Sequence, residues 1–160
     1  MIQALIFDWG DTIMRDFPEK EGPMVLWDHV EWIPGAEKAL KQLHHKFVMV
    51  IATNAGQSDT QAMIKALERV GAGQYFQYYF SSKDLKFEKP DVRFFKTICE
   101  QIGLLPEQCA MIGNLYEKDI IGAKQSGMFT VLFDEKQSEG KYLLADKVIA
   151  DMEELGAIFL

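Results

Sequence analysis

The sequence has few cysteines and no long apolar run. Its 160 residues include only Cys99 and Cys109, which form no CxxC pair and have apolar neighbours. This excludes a disulfide-rich secreted scaffold, and we interpret both cysteines as reduced, buried thiols of a cytoplasmic protein. No apolar stretch approaches the ~20 residues that a membrane span needs, and residues 1–7 lack the pattern of a signal peptide, so no membrane partner is expected.

The chain also has fewer basic residues than acidic ones. The chain has 17 Lys and Arg against 24 Asp and Glu, a formal net charge of −7. This excess of negative charge argues against nucleic acid as a partner. The three histidines do not form a metal-ligand pattern. Hydrophobic residues make up 48% of the chain, which is the composition of a globular protein with a sizeable core.

Short apolar runs alternate with amphipathic segments. The runs predict buried strands at 2–7, 47–52, 78–81, 109–112 and 129–133, with a short sixth strand at 147–150. Helical patterns lie between them, including one from Glu117 to Ser126, and Ser58 is the predicted N-cap of the second helix. This alternation predicts one α/β domain over residues 1–160, in which helices cover both faces of a parallel sheet. An irregular flap at 14–32 contains prolines and glycine that forbid a long helix.

Polar residues follow the predicted strands, at the carboxyl ends where parallel sheets bind ligands. They are Asp8, Asp11, Thr53, Asn54, Asn114 and Asp119, with Lys89 the nearest cation in the pattern. A carboxylate placed like Asp8 serves as a covalent nucleophile in phosphoryl transfer. Thr53 and Asn54 offer donors for phosphate oxygens, and Asn114 and Asp119 offer oxygens that Mg²⁺ prefers. Each residue alone is more typical of a turn, a cap or a solvated lysine, but their order and placement favour a common site.

Four segments resemble, in order, the motifs of the haloacid-dehalogenase-like superfamily. LIFDWGDT at 5–12 resembles the first motif, and IATN at 51–54 the second. EKPD at 88–91 resembles the lysine motif. MIGN at 111–114, followed by Asp119, Gly122-Ala123 and Gly127, is similar to the fourth. The resemblance spans residues 2–133, most of the chain.

The resemblance implies a Rossmann-like, doubly wound parallel sheet and a Mg²⁺-dependent phosphatase with an aspartyl-enzyme intermediate. Asp8 would attack phosphorus, and the metal would relieve the repulsion between this carboxylate and the phosphate. The implied phosphate ligands are Thr53, Asn54 and Lys89. The implied Mg²⁺ ligands are Asp8, the Gly10 carbonyl, Asn114 and Asp119.

Two positions depart from the family's pattern. Its phosphatases usually carry a second aspartate two residues after the nucleophile, as general acid and base. Here Gly10 stands at that position and an aspartate follows at Asp11. We predict Asp11 as the second catalytic residue, although the one-residue shift points its side chain in another direction, and a well-placed acid–base contributes about 10²–10⁴ in rate. Asn114 stands where aspartate is usual, which lowers the expected affinity for Mg²⁺.

The intervals between the motifs are too short for a cap domain. Residues 13–53 have room for the flap, one helix and one strand, and residues 54–89 for one helix and one strand. An open site suits small or larger phosphorylated substrates, or is closed by a second copy of the chain. Two alternatives stay open. The departures favour a catalytically weak or inactive binding or regulatory protein, and the missing aspartate is also compatible with cleavage of phosphonate or carbon–halogen bonds.

Overall fold

Six parallel strands form one sheet in the computed structural model, which describes residues 1–160. The strands are β1 (Ala4–Phe7), β2 (Val48–Thr53), β3 (Tyr78–Ser81), β4 (Cys109–Gly113), β5 (Phe129–Phe133) and β6 (Lys147–Ile149). Their order in the sheet is β3-β2-β1-β4-β5-β6. The predicted α/β fold is confirmed, and each strand lies within two residues of its expected bounds.

Helices cover both faces of this sheet. They are α1 (Ala36–Leu43), α2 (Thr60–Arg69), α3 (Ser82–Leu85), α4 (Val92–Ile102), α5 (Ile121–Ser126) and α6 (Leu155–Phe159). Apolar residues of α1, α2 and α6 belong to one buried cluster, and those of α3, α4 and α5 belong to a second. Leu5 and Phe7 of β1 point into the first cluster, and Ala4 and Ile6 into the second. Burial on both faces accounts for the continuous apolar runs in the sequence.

The helix starts differ from the predicted ones at two places. The N-cap of α2 is Asp59 and not Ser58, because the Asp59 carboxylate accepts a hydrogen bond from the backbone N–H of Ala62 at 2.8 Å. A carboxylate is favoured there by the positive end of the helix dipole. The helix predicted from Glu117 begins instead with a π-helical turn at Tyr116–Ile120, which leads into α5. None of the helices combines the length and the apolar composition needed to cross a bilayer.

No cap domain is inserted between the motifs. The flap at 14–32 contains one short 3-10 turn, Met24–Leu26. Isolated bridges join Met14 to Gly10 and to Trp32 and hold the flap against the end of β1. Only α2 and a 3-10 turn lie between β2 and β3. The carboxyl edge of the sheet is therefore not covered by a second domain, as the short intervals predicted.

The strand order reverses at β1. The chain proceeds outward from β1 to β2 and β3, then crosses to β4 on the other side of β1 and continues to β5 and β6. Phe7, the last residue of β1, pairs with Ile51 of β2 and with Ile112 of β4. Residues that follow these three strands therefore reach the same level of the carboxyl edge. This is the crevice in which open α/β sheets bind ligands.

Gly122 of α5 packs directly against the loop before α4. A β-carbon at this position would lie 2.0 Å from the carbonyl oxygen of Pro90 and 2.7 Å from the ring of Phe95. Since overfilling a packed interior costs about 1–3 kcal/mol or more, we expect Gly122→Ala to lower the free energy of unfolding by at least about 2 kcal/mol. This loss should occur although alanine is the better helix former. Denaturant unfolding measures it.

Gly56→Ala is the matched control, because a β-carbon there meets nothing within 4 Å. Its free energy of unfolding should stay within about 0.5 kcal/mol of the wild type. Equal stability of the two variants would contradict the close contact between α5 and Pro90.

Candidate active site

The candidate site centres on a lysine between two carboxylates. Asp8 directly follows β1, and Lys89 lies in the loop before α4. The Lys89 ammonium donates to Asp8 Oδ1 at 2.9 Å, to Asp119 Oδ1 at 2.7 Å and to the Ala52 carbonyl oxygen at 3.1 Å. All three ammonium protons are thus used, and Asp8, Lys89 and Asp119 are buried. The two carboxylates compensate the desolvation of the lysine.

The charges in this cluster are strongly coupled. Burial disfavours the ammonium form of Lys89, but Asp8 and Asp119 outweigh it and raise the lysine pKa above its ordinary value. Burial and the Asp8 charge raise the pKa of Asp119 to about 6, against the opposing effect of Lys89. At neutral pH one cation therefore faces two carboxylates. The net negative charge favours a further cation near the cluster.

Asn54 clamps the backbone of Lys89. Its Nδ2 donates to the Lys89 carbonyl oxygen at 3.0 Å, and its Oδ1 accepts from the Lys89 N–H at 2.8 Å. The second Nδ2 proton of Asn54 takes no part in this pair, so the predicted contact between the side chain and a phosphate does not require the pair to break. The neighbouring Thr53 hydroxyl is less committed, since it makes only a 3.3 Å hydrogen bond to the Asn54 carbonyl oxygen.

Asp119 is the second carboxylate that contacts the Lys89 ammonium. It enters the site from the π-helical turn, and the absence of a side chain at Gly113 makes room for it, because a β-carbon there would lie 2.4 Å from Asp119 Cγ. Asp119 Oδ2 accepts from the Leu115 N–H at 3.0 Å, and Oδ1 accepts from Lys89. Both oxygens are therefore engaged, and the residue is only 1% exposed.

Thr12 connects the first and fourth motifs. Its hydroxyl lies 3.4 Å from Asp8 Oδ2 and 3.3 Å from Asn114 Oδ1. A hydroxyl has one proton to donate, so it cannot satisfy both oxygens at once. Asp8 Oδ2 and Asn114 Oδ1 thus keep free lone pairs on the side of Asp8 that does not face Lys89.

These oxygens fit a Mg²⁺ ion that keeps several of its waters. Asp8 Oδ2 and Asn114 Oδ1 are hard oxygen ligands, which this ion prefers. No three His, Cys, Asp or Glu side chains stand at metal-binding spacing, and Asp119 is engaged by Lys89. The side chains therefore offer one carboxylate and one neutral oxygen, which predicts weak binding.

Two cavities flank the cluster. One, of about 460 Å³, has Asp11, Arg15, Asp16 and Asn114 in its wall. The other, of about 330 Å³, has Gly10, Asp16, Thr53 and Asn54 in its wall. Trp9 also lines the smaller cavity, and the flap contributes further aromatic surface there through Phe17 and Trp27.

Asp11 and Asp16 differ in their surroundings. Asp11 has a left-handed backbone conformation (φ 56°). Its Oδ1 accepts from the Asp16 N–H at 3.0 Å and lies 3.8 Å from Arg15 Nη1. Partial burial, with the nearby charges of Asp11 and Asp8, raises the pKa of Asp16 above its ordinary value.

Sequence reasoning did not find three contributors to this site. Thr12 stands within the first motif, so its match to the family pattern was an available signal. The Ala52 carbonyl has no side-chain signal at all. Asp16 lies in the irregular flap, where no periodicity or motif indicates which way a side chain points.

Known proteins are similar to this chain in sequence and in fold. The family model described as haloacid dehalogenase-like hydrolase matches residues 6–127. A crystal structure of an uncharacterized protein from Listeria monocytogenes serotype 4b has a TM-score of 0.86 at 22% identity, with coverage of 98% of this chain and 96% of that one.

Two curated relatives are phosphatases by name. Glyceraldehyde 3-phosphate phosphatase of Methanothermobacter thermautotrophicus is 33% identical over 75 residues, which are 47% of this chain and 33% of that protein. Ribulose-1,5-bisphosphate 5-phosphatase of Halopiger xanaduensis is 27% identical over 127 residues, which are 79% of this chain and 52% of that protein. The matches thus span about a third to a half of these relatives. The family model covers most of the chain, and on that basis the chain belongs to the haloacid dehalogenase-like hydrolase family.

Proposed function

We propose that the chain is a Mg²⁺-dependent phosphatase that cleaves a phosphate monoester through an aspartyl phosphate on Asp8. The observation that carries the proposal is the buried contact between Asp8 and the Lys89 ammonium at the point where the strand order reverses. The names of the two phosphatase relatives support a phosphorylated substrate. We also infer that residues 1–160 act as one domain in the cytoplasm, with the flap at 14–32 beside the substrate.

The chemistry follows from the roles of three side chains. An Asp8 carboxylate oxygen attacks phosphorus, and the bond between phosphorus and the ester oxygen breaks, with its electron pair leaving on that oxygen. Water then attacks phosphorus in the aspartyl phosphate, which releases inorganic phosphate and restores the carboxylate. Lys89 holds the Asp8 carboxylate in place through its hydrogen bond to Oδ1 and, with the Thr53 hydroxyl, stabilises the charge of the transferring group.

Asp8, the Gly10 carbonyl and Asn114 would hold Mg²⁺, and Asp119 would add negative charge from behind Lys89. When bound, the ion reduces the repulsion between the anionic nucleophile and the anionic phosphate. The open edge of the sheet admits small or larger phosphorylated substrates, and a second copy of the chain could cover it.

The test combines turnover with capture of the intermediate. We expect release of phosphate from 4-nitrophenyl phosphate with Mg²⁺ and none with a chelator. After an acid quench, mass spectrometry should find one phosphoryl group on the peptide that contains Asp8. Binding of phosphate without turnover or phosphorylation would instead support a binding or regulatory protein.

Mass spectrometry also distinguishes hydrolysis of a phosphate ester from cleavage of a carbon–halogen bond. In a single turnover in ¹⁸O water, a phosphatase puts the label into phosphate, because water attacks phosphorus. A dehalogenase forms a carboxylate ester on Asp8, and attack of water on that ester puts the label into the Asp8 side chain. Label in Asp8 would contradict the phosphatase proposal.

The metal site makes a prediction about Asn114. We expect Asn114→Asp to bind Mg²⁺ at least about tenfold more tightly, because a full negative charge a few ångströms from a divalent cation contributes more than about 1.4 kcal/mol at the effective dielectric of a protein surface. Calorimetric titration of the protein with MgCl₂ measures this without any need for turnover.

Gln108→Glu is the matched control for the added charge. It lies just before β4, at the opposite edge of the sheet from Asn114. Its affinity for Mg²⁺ should equal that of the wild type. Unchanged or weaker binding by Asn114→Asp would mean that Asn114 does not face the metal.

A further inference from the structure

The flap brings a carboxylate to the position where the family usually has its second aspartate. Gly10 has no side chain, and Asp16 borders the space that a β-carbon on Gly10 would take. A β-carbon built on Gly10 would lie 3.5 Å from Asp16 Cβ and 3.8 Å from Asp16 Oδ2. The Asp16 carboxylate therefore lies beside the space that a longer side chain at position 10 would enter.

Asp16 is held by its backbone while its carboxylate remains free. Its N–H donates to Asp11 Oδ1 at 3.0 Å, and this is its one contact among the side-chain hydrogen bonds and ion pairs of the chain. The carboxylate borders both cavities that flank the cluster, including the smaller one with Thr53 and Asn54 in its wall. A carboxylate without a partner at the mouth of this cleft is available to a bound ester.

Asp11 is less suited to this task. Its left-handed backbone and its hydrogen bond from the Asp16 N–H hold the carboxylate against the flap. Arg15 lies 3.8 Å away. Asp11 borders only the larger cavity and not the one that contains Thr53. The geometry gives Asp11 the role of anchoring the loop that carries Asp16.

We propose that Asp16 is the acid–base residue of this site, a role that rests on the proposed phosphatase function. As Asp8 attacks phosphorus, the bond to the ester oxygen breaks and its electron pair passes to that oxygen. The oxygen takes a proton from the Asp16 carboxyl group and leaves as an alcohol. In the second half-reaction the Asp16 carboxylate accepts a proton from the water that attacks the aspartyl phosphate, so the proton is returned.

The test uses two esters that differ in their need for a proton. An alkyl phosphate such as glycerol 2-phosphate releases a basic alkoxide, whereas 4-nitrophenyl phosphate releases a stable phenolate. The value of kcat/KM reports the steps up to the first irreversible one, here phosphoryl transfer to Asp8. We expect Asp16→Ala to lower it by about 10²–10⁴ for the alkyl ester and by less than about tenfold for the aryl ester.

A second variant separates chemistry from structure. Gly10→Asp/Asp16→Ala replaces the Asp16 carboxylate with one carried by position 10. The 3.5 Å contact at Gly10 leaves room for the new β-carbon. The kcat/KM of this double variant for the alkyl ester should be at least tenfold higher than that of Asp16→Ala. Glu21→Gln removes a charge from the same loop but borders neither cavity, so both esters should react as with the wild type.

Equal losses for both esters in Asp16→Ala, or no recovery in the double variant, would overturn the role of Asp16 while leaving the phosphatase function intact. A wild type that hydrolyses neither ester would overturn the proposed function itself and, with it, the role of Asp16.

Discussion

Asp8→Asn is expected to abolish hydrolysis of phosphate esters, with a loss of at least about 10⁴-fold in kcat, the scale on which loss of a nucleophile acts in covalent hydrolases. The amide cannot form the acyl phosphate, so the covalent path is closed. Steady-state assays with 4-nitrophenyl phosphate, together with mass spectrometry of the quenched protein, measure both effects. Activity comparable to the wild type would show that the covalent mechanism on Asp8 is wrong.

The same variant should fold as well as the wild type or better. Asp8 and Asp119 share one cation, so neutralising Asp8 removes a repulsion and leaves Lys89 paired with Asp119. The free energy of unfolding should therefore be unchanged or higher. Asp151→Asn is the matched control, since it makes the same substitution after β6, at the far edge of the sheet, and should leave activity unchanged.

Lys89→Met is expected to cost about 3–5 kcal/mol of stability, because it leaves two buried carboxylates without their shared cation. Denaturant unfolding measures this loss. Lys124→Met is the control, since Lys124 pairs with Asp146 at the surface, where loss of an ion pair costs about 1 kcal/mol or less. Similar losses in the two variants would contradict the buried cluster.

The loss of stability in Lys89→Met should grow as the pH rises. Folded Asp119 already has a pKa of about 6, whereas an unfolded aspartate titrates near 3.9, so the folded state binds the extra proton between these values and stability falls as pH rises through them. Without Lys89 the pKa of Asp119 in the folded state rises further. The decrease in stability therefore continues to a higher pH. Lys89→Met/Asp119→Asn should recover stability and flatten this slope.

The Lys89→Met/Asp119→Asn variant also separates an effect on folding from an effect on catalysis. It should still lose about 10²–10³ in kcat, because the cation that stabilises the charge of the transferring group is absent. A stable double variant with wild-type activity would exclude Lys89 from the chemistry.

The local pattern of the chain was sufficient for the fold. Strands buried on both faces require continuous apolar runs, and the helices between them require amphipathic periods, so these signals predict the alternation and the parallel sheet. Helix starts were less predictable, because adjacent residues such as Ser58 and Asp59 are both good caps. Their competition is decided by one hydrogen bond.

For the site, the sequence by itself identified the charged and amide residues that follow the strands or match the motifs, but it did not indicate that Asp16 of the flap reaches the same edge of the sheet. The tertiary structure alone decided what each side chain does there. Asn54 is bound to the Lys89 backbone, Asp119 accepts a hydrogen bond from the lysine ammonium, and Asp16 lies beside Gly10. These contacts join residues far apart in the chain or within an irregular loop, where side-chain direction depends on packing and not on local periodicity.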